Sequence, residues 1–319
     1  MPVRKIVDIL KSKKHESFLK SLDKQKQHQA QSILQRPEFQ KIYSRLDSTF
    51  NIPTLPHDKK IWAIAMVKNE EDIVAQTIRH MFRQGVDAVL IVDNKSTDKT
   101  LDILNSLSTQ YAVFVGTDAE PAYFQTEKMT WLADKVASAG AEWIVPFDAD
   151  EFWYGLEGSL REILSNSSAD VLLAKIYNQF PTLQGWGLDN KAHPDPKIAF
   201  RPSPPFVISM GNHDVVMAGG RDAESLVIIH VPWRSYEQFS RKLSQGASAL
   251  ATTNLPDEKG YHWRIWGKNS PEALSTQWEL LLAGTADSTL AWRPLGQLLP
   301  TPEFPPESWE NTVLYKRCD

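Results

Sequence analysis

The chain has 319 residues, 42% hydrophobic and 23% charged, enough apolar material for a real core, so wholesale disorder is excluded. With 35 Lys+Arg against 39 Asp+Glu the net charge is −4, which argues against a general nucleic-acid coat and against a nucleic-acid partner. The single cysteine, Cys318, rules out an internal disulfide framework and a Cys-rich zinc site, while 11 Trp suggest aromatic surfaces for sugar or for a partner as much as core.

Residues 1–58 read as two or three short helices, closed by Pro53, Pro56 and a turn at His57-Asp58. Between Arg4 and His28 stand eight basic residues and three acids, with Ile6, Ile9, Leu10, Phe18, Leu19 and Leu22 at roughly helical spacing. Such a helix can lie on an anionic membrane surface or pack on its own domain. The N-terminus lacks the apolar core and cleavage site of a secretory signal, and no run approaches ~18 apolar residues. The expected setting is cytoplasmic, with peripheral contact at the inner membrane face resting on this helix alone.

Residues 61–67 form a continuous apolar run followed at once by Lys68-Asn69-Glu70, the pattern of a strand buried on both faces. Residues 71–84 have helical period through Ile73, Val74, Ile78, Met81 and Phe82, with Gly85 as the stop. A second buried strand, 88–92, ends at Asp93, and Ser96 or Thr97 is expected to cap a helix carrying Leu101, Ile103, Leu104 and Leu107. Residues 111–115 are a third strand, 125–139 a helix stopped at Gly140, and 143–147 a fourth strand that runs into Asp148-Ala149-Asp150-Glu151. This alternation predicts an α/β fold with a parallel sheet and helices on both faces. Ligands bind at the carboxyl ends of such strands, so Lys68-Asn69-Glu70, Asp93-Asn94 and Asp148-Ala149-Asp150 are expected along a single edge.

Further on, 169–178 reads as a strand, 181–205 as a long Pro- and Gly-rich loop, 207–217 and 225–231 as strands, and 235–250 as a helix. A last helix is expected near 272–284. The implied organisation is a helical extension over 1–58, a body over 59–253 with a nucleotide-binding half (59–154) and an acceptor half (155–253), and a Trp- and Pro-rich helical extension over 254–319. The two extensions are candidates for contact with a partner or a second copy in a homo-oligomer.

Two aspartates one residue apart on a turn can present carboxylates to one hard cation, and Mg²⁺ and Mn²⁺ bind through such pairs together with substrate phosphates. A departing diphosphate needs that neutralisation. No Gly-x-Gly-x-x-Gly follows the first strand and no Gly-Lys-Ser/Thr loop occurs, which weighs against a dinucleotide or ATPase site. The residues point instead to a nucleotide held by carboxylates.

Met66-Val67-Lys68-Asn69-Glu70, then Asp93-Asn94-Lys95-Ser96-Thr97-Asp98-Lys99-Thr100, then Asp148-Ala149-Asp150-Glu151-Phe152 resemble, in order and spacing, the family 2 glycosyltransferases. The likeness is nearest to the branch with Asp-Asn-x-Ser-x-Asp-x-Thr and Asp-x-Asp-Glu-Phe motifs. It continues more weakly through Gly211-Asn212-His213-Asp214 and from His230 to Phe239, with Lys242 beyond. The resemblance implies the GT-A fold, a Rossmann-like, mostly parallel sheet joined to an acceptor-binding half. It implies a metal-dependent, inverting transfer of a sugar from a UDP- or GDP-sugar to a carbohydrate, lipid-linked or other hydroxyl acceptor, with Mn²⁺ or Mg²⁺ as cofactor.

By this resemblance Asp93 would bind the base or ribose, with Asn69 and Glu70 beside it and Asn94 where many relatives carry a second Asp. Lys128 matches a basic position near the donor. Asp148 would face the ribose or sugar and stand among the metal's ligands, and Asp150 would ligate the metal. His230, ahead of His213, is the expected third ligand, and Arg234 and Lys242 are set to meet the diphosphate. An inverting transfer needs a carboxylate base; the candidates are Asp214, then Asp189, with Asp222 and Glu224 behind them. Trp153, Trp186 and Trp233 are candidate sugar platforms. The alternative is a non-catalytic glycan- or nucleotide-binding protein on the same scaffold.

Overall fold

The computed structural model describes residues 20–120, 122–253 and 260–301, apart from the side chains of Glu224 and His262. Cys318, and the basic amphipathic pattern up to Leu19, lie outside the described residues. The described chain begins with helix α1 (residues 20–34), α2 (Pro37–Thr49) and the short strand β1 (Phe50–Asn51). Then follow β2 (Ile61–Val67), α3 (Val74–Arg83), β3 (Ala88–Asp93), α4 (Thr100–Ser108), β4 (Val113–Asp118), α5 (Gln125–Ser138) and β5 (Trp143–Pro146). This is the expected alternation, and Gly85 and Gly140 stop their helices at φ +92° and +91°, where a side chain would be strained.

The period of two in β2 explains why the strand is apolar throughout. Ile61, Ala63, Ala65 and Val67 face a core shared with Val74, Ile78 and Met81 of α3 and Leu104 and Leu107 of α4. Trp62 and Ile64 face the opposite core, with Met129, Leu132 and Val136 of α5 and Leu46 of α2. Helices therefore cover both faces, and β2 to β5 run parallel in the order β4-β3-β2-β5.

Past β5 the chain departs from the simple alternation. Strand β6 (Glu151–Gly155) and helix α6 (Leu160–Asn166) come directly after the acidic turn. All five residues of β6 are buried, so it shows no alternation to read, and α6 is announced only by its capping box, Ser159 with Glu162. Strand β7 (Val171–Thr182) follows. The expected 181–205 loop instead holds β8 (Gly185–Asp189) and β9 (Lys197–Phe200), strands too short for a periodic signal. The single strand expected over 207–217 is a hairpin, β10 (Val207–Ile208) and β11 (Val215–Val216) about one 3₁₀ turn. Strand β12 (Arg221–His230) and helices α7 (Tyr236–Ala251), α8 (Tyr261–Trp266) and α9 (Pro271–Leu282) lead to β13 (Leu298–Thr301).

Strand β9 joins β5 and β7 antiparallel, β12 runs parallel to β7, and β6 closes the edge antiparallel to β12. The whole is an α/β fold with a mixed sheet, parallel from β2 to β5, and with further helices before and after it. Both flanks are knitted in: β1 pairs with β4, and β13 extends β8. Trp153 and Trp233 are fully buried core residues, which corrects their reading as sugar platforms. Among the described residues no helix is long and apolar enough to cross a membrane. Leu90 lies at the centre of β3 with no exposed surface. Leu90→Ala is expected to cost about 2–5 kcal/mol in urea unfolding, because the core on that face cannot collapse around the lost volume.

Candidate active site at the carboxyl edge of the sheet

Val67, Asp93 and Thr117 lie in register at the carboxyl ends of β2, β3 and β4. Just past β2, Asn69 takes the left-handed conformation, φ +57°, which Asn tolerates better than most residues. Its N–H donates to Ser96 Oγ at 2.9 Å, and its Oδ1 accepts from the Thr97 N–H at 2.7 Å, so the two strand ends are laced together. Ser96 and Thr97 are thereby used in the loop; it is Asp98 that accepts from the first N–H of α4, at 2.9 Å. Asp93 is buried, with Oδ2 accepting from the Ser96 N–H at 3.0 Å and Oδ1 without a partner. Among the described residues this oxygen is a buried acceptor left unsatisfied.

Asn94 and Lys128 are committed to the loop after β4. Asn94 Nδ2 donates to Asp118 at 2.6 Å and to the Glu120 carbonyl at 2.8 Å. Lys128 spends all three donors, on Asp118 (2.5 Å) and the carbonyls of Glu120 (2.7 Å) and Ala122 (2.9 Å). Burial lowers the Lys128 pKa, against the pull of Asp118. Both residues shape the loop after β4, and their side-chain donors are spent within it.

The acidic turn is held by its own backbone. Asp148 N–H donates to Glu151 Oε2 at 3.1 Å, and Val231 N–H donates to the Asp150 carbonyl at 2.9 Å. Asp148 leaves 38% of its side chain exposed; its Oδ2 meets Lys197 at 2.6 Å and its Oδ1 is 3.4 Å from Asn212 Nδ2. Lys197 also pairs with Glu151 at 2.8 Å. Burial, with help from Asp148 and Asp150, pushes the Glu151 carboxyl up to about 8 despite Lys197.

Asp150 is almost wholly buried. Its Oδ2 lies 2.5 Å from Lys242 Nζ and 3.6 Å from both His230 Nε2 and an Arg234 guanidinium nitrogen. Burial alone would raise its pKa, but Lys242, His230 and Arg234 hold the carboxyl well below the usual range. His230 stands in register with Glu151 on one side and Asn178 on the other. Its Nδ1 is 2.8 Å from Asn178 Oδ1, which accepts from it, and its Nε2 faces Asp150. Burial lowers the His230 pKa against the pull of Asp150, and Trp292 packs edge-on against the ring at 4.4 Å.

Helix α7, capped by Ser235, delivers the cations. Arg234 meets Asp72 at 2.7 and 3.0 Å, bonds Glu70, and reaches the Val231 carbonyl at 3.1 Å. Burial would lower its pKa, but Glu70, Asp72 and Asp150 push it up. Lys242 lies 3.4 Å from Glu70, and Arg241 donates to the Asn69 carbonyl at 2.9 Å. An unbroken chain of contacts thus runs from Asp93 through Ser96, Asn69 and Glu70 to Arg234, Lys242 and Asp150, along one edge.

Asp150 Oδ2 and His230 Nε2 are two lone-pair donors 3.6 Å apart around one point, an oxygen-and-imidazole pair that fits Mn²⁺ or Mg²⁺ once phosphate and water complete the shell. Among the described residues no group of three or more His, Cys, Asp or Glu is placed to hold a metal by itself, and Asp148 is bonded to Lys197 at 2.6 Å.

The base candidates lie otherwise than expected. Asp189 is fully buried and accepts three backbone N–H bonds, from Lys191 (2.9 Å), Leu295 (2.5 Å) and Gly296 (3.0 Å), which fasten the segment before β13. Asp214 is turned to Arg221 at 2.6 Å and to the Val215 N–H at 2.8 Å. Asp222 accepts from its neighbour Ala223, and the Glu224 side chain is outside the described residues. His213 is bonded to the Pro196 carbonyl at 2.8 Å. Trp186 is half-buried in β8, opposite Thr301 of β13. Sequence reasoning missed Lys197, Asn178, Asp72 and Trp292. Only Asn178, a polar residue at the end of an apolar run, carried a signal.

Residues 62–211, just under half of the chain, match the family described as glycosyl transferase family 2, which bears out the resemblance in the motifs. Among solved structures, S. aureus TarS 1–349 in complex with UDP-GlcNAc is 13% identical over 70% of this chain and 80% of that one, with a TM-score of 0.38. TarS 1–349 without that ligand gives 12%, 71%, 79% and 0.35. Glucosyl-3-phosphoglycerate synthase from Mycobacterium tuberculosis, in complex with Mn²⁺, UDP and phosphoglyceric acid, gives 17%, 38%, 44% and 0.27. These are distant likenesses. No curated protein matches the chain.

Lys128→Met strands the buried Asp118 carboxylate and is expected to lower stability by about 3–5 kcal/mol in urea unfolding. Adding Asp118→Asn should restore part of the loss, the mark of a structural pair.

Proposed function

We propose that this chain, whose residues 62–211 carry the family 2 glycosyltransferase pattern, transfers a sugar from a nucleotide-diphosphate donor to a hydroxyl acceptor with inversion and with a divalent metal. The observation that carries the proposal is the shared rim: a buried Asp93 with a carboxylate oxygen unpartnered among the described residues at one end, and Asp150 with His230, Arg234 and Lys242 at the other.

Asp93 accepts a hydrogen bond from the base or ribose, and the laced Asn69–Thr97 loop fixes where that acceptor stands. Asp150 and His230 would hold Mn²⁺ or Mg²⁺, which when bound neutralises the diphosphate as it leaves. Asn178 fixes the His230 tautomer that such binding requires. Arg234 and Lys242 lie beside the same point and suit a diphosphate. Asp148, the partly exposed carboxylate of the turn, faces the transferred sugar, kept in place by Lys197. The acceptor's proton passes to a carboxylate within reach, but Asp189 and Asp214 are bound to backbone N–H groups and to Arg221, and neither is retained in that role. The acceptor is a carbohydrate, lipid-linked or other hydroxyl compound, and the proposed setting is cytoplasmic.

The test is a panel of UDP- and GDP-sugars assayed for hydrolysis and transfer with Mn²⁺ or Mg²⁺. Activity should vanish with EDTA and return with metal, and Asp150→Ala should lower it by at least about a hundredfold, since losing even an outer-shell partner of a metal site costs 10–100-fold. A folded Asp150→Ala protein with full activity would overturn the proposal. Calorimetric binding of UDP with Mn²⁺, combined with no turnover of any donor, would favour the non-catalytic alternative.

A further inference from the structure

Lys242 and Arg234 reach the same carboxylate, but only one of them is free to leave. Arg234 is fixed by Asp72, Glu70 and the Val231 carbonyl, and 4% of its side chain is exposed. Lys242 has one close bond, 2.5 Å to Asp150 Oδ2, and a looser contact with Glu70 at 3.4 Å; 24% of its side chain is exposed. Its ammonium ends a flexible four-carbon stem, unlike the rigid guanidinium fork. The oxygen it occupies is the one that His230 Nε2 faces at 3.6 Å. A divalent ion and an ammonium cannot share that point, because like charges at such a separation repel strongly in a buried site. With neither the metal nor Lys242 in place, Arg234 at 3.6 Å would be the cation left beside the buried Asp150 carboxylate, which is costly.

We propose that Lys242 is a resident counter-ion of Asp150 that yields its place to the divalent metal and moves onto the diphosphate that arrives with it. This deepens the donor-site reading above and rests on it. Metal arriving alone must expel Lys242 with no new anion to receive it. Metal arriving with a nucleotide diphosphate supplies that anion on the same rim. Lys242 therefore suppresses metal binding by itself and couples it to nucleotide binding, and the coupling is reciprocal.

The experiment measures Mn²⁺ affinity of the full chain by electron paramagnetic resonance, with and without UDP, and UDP affinity by calorimetry with and without Mn²⁺. Lys242→Met is compared with wild type, and Lys242→Gln, which can still donate to Asp150, stands in should the Met variant not fold. Either variant should bind Mn²⁺ alone about tenfold more tightly than wild type, bind UDP several-fold more weakly in saturating Mn²⁺, and so lose about tenfold or more of the coupling. Mn²⁺ affinity without UDP that is unchanged or weaker in the variants overturns the proposal, as does a wild type whose Mn²⁺ affinity ignores UDP. Asp150→Asn separates the two readings. If it abolishes Mn²⁺–UDP binding while the Lys242 variants leave Mn²⁺ affinity alone, only the counter-ion role falls; if it changes nothing, the donor-site reading falls as well.

Discussion

A carboxylate taken out of water must be given a cation, and the arrangement of this edge follows from satisfying that demand at Asp150. Its side chain is 3% exposed, and Lys242, Arg234 and His230 all converge on one of its oxygens. Those three come from β12, the turn after it and α7, far along the chain from the turn that carries Asp150. The ion cluster therefore joins the parallel half of the sheet to its later half. It also draws in Glu70 and Asp72 after β2, so that loops from three separate strand ends are tied through Arg234 alone.

The backbone makes this convergence possible before any side chain is considered. His230 falls opposite Glu151 in the antiparallel pairing with β6 and opposite Asn178 in the parallel pairing with β7. A slip of one residue in either register would turn His230 to the other face of the sheet. The buried apolar residues that precede it, Val227 to Ile229, prevent the slip because both faces are packed. Hydrophobic patterning thus sets the position of a polar side chain, which Asn178 then holds by a hydrogen bond.

What the sequence disclosed follows the same division. The four parallel strands were legible because each is an apolar run ended by a polar residue, and their topology alone placed Asp93 and Asp150 on one edge. His230, Arg234 and Lys242 were found at an apolar run's end and on a clearly periodic helix. Lys197 was not, because β9 is four residues long and lies among prolines and glycines, where periodicity has no length to show itself. Asp189 and Asp214 misled for a related reason: an acid near a turn looks free in sequence, and only the fold shows that backbone N–H groups or Arg221 have already claimed it. Trp153 and Trp233 misled because indole faces that suit a sugar also suit a core.

Two buried lysine–aspartate pairs in this molecule show how similar chemistry divides between structure and function. Lys128 and Asp118 are 3% and 0% exposed, and every ammonium donor has an acceptor, so moving Lys128 would break three bonds at once. Lys242 faces a buried carboxylate with one short bond, while His230 Nε2 faces the same oxygen at 3.6 Å. The first pair is saturated and holds a loop. In the second the cation is held by charge more than by geometry, and the surrounding groups present donors that suit a metal better than they suit an ammonium. An exchange of cations at Asp150 leaves the rest of the ion cluster in place, since Arg234 keeps its bonds to Glu70 and Asp72 throughout; the rigid pair and the exchangeable pair can then coexist on one rim without either loosening the fold.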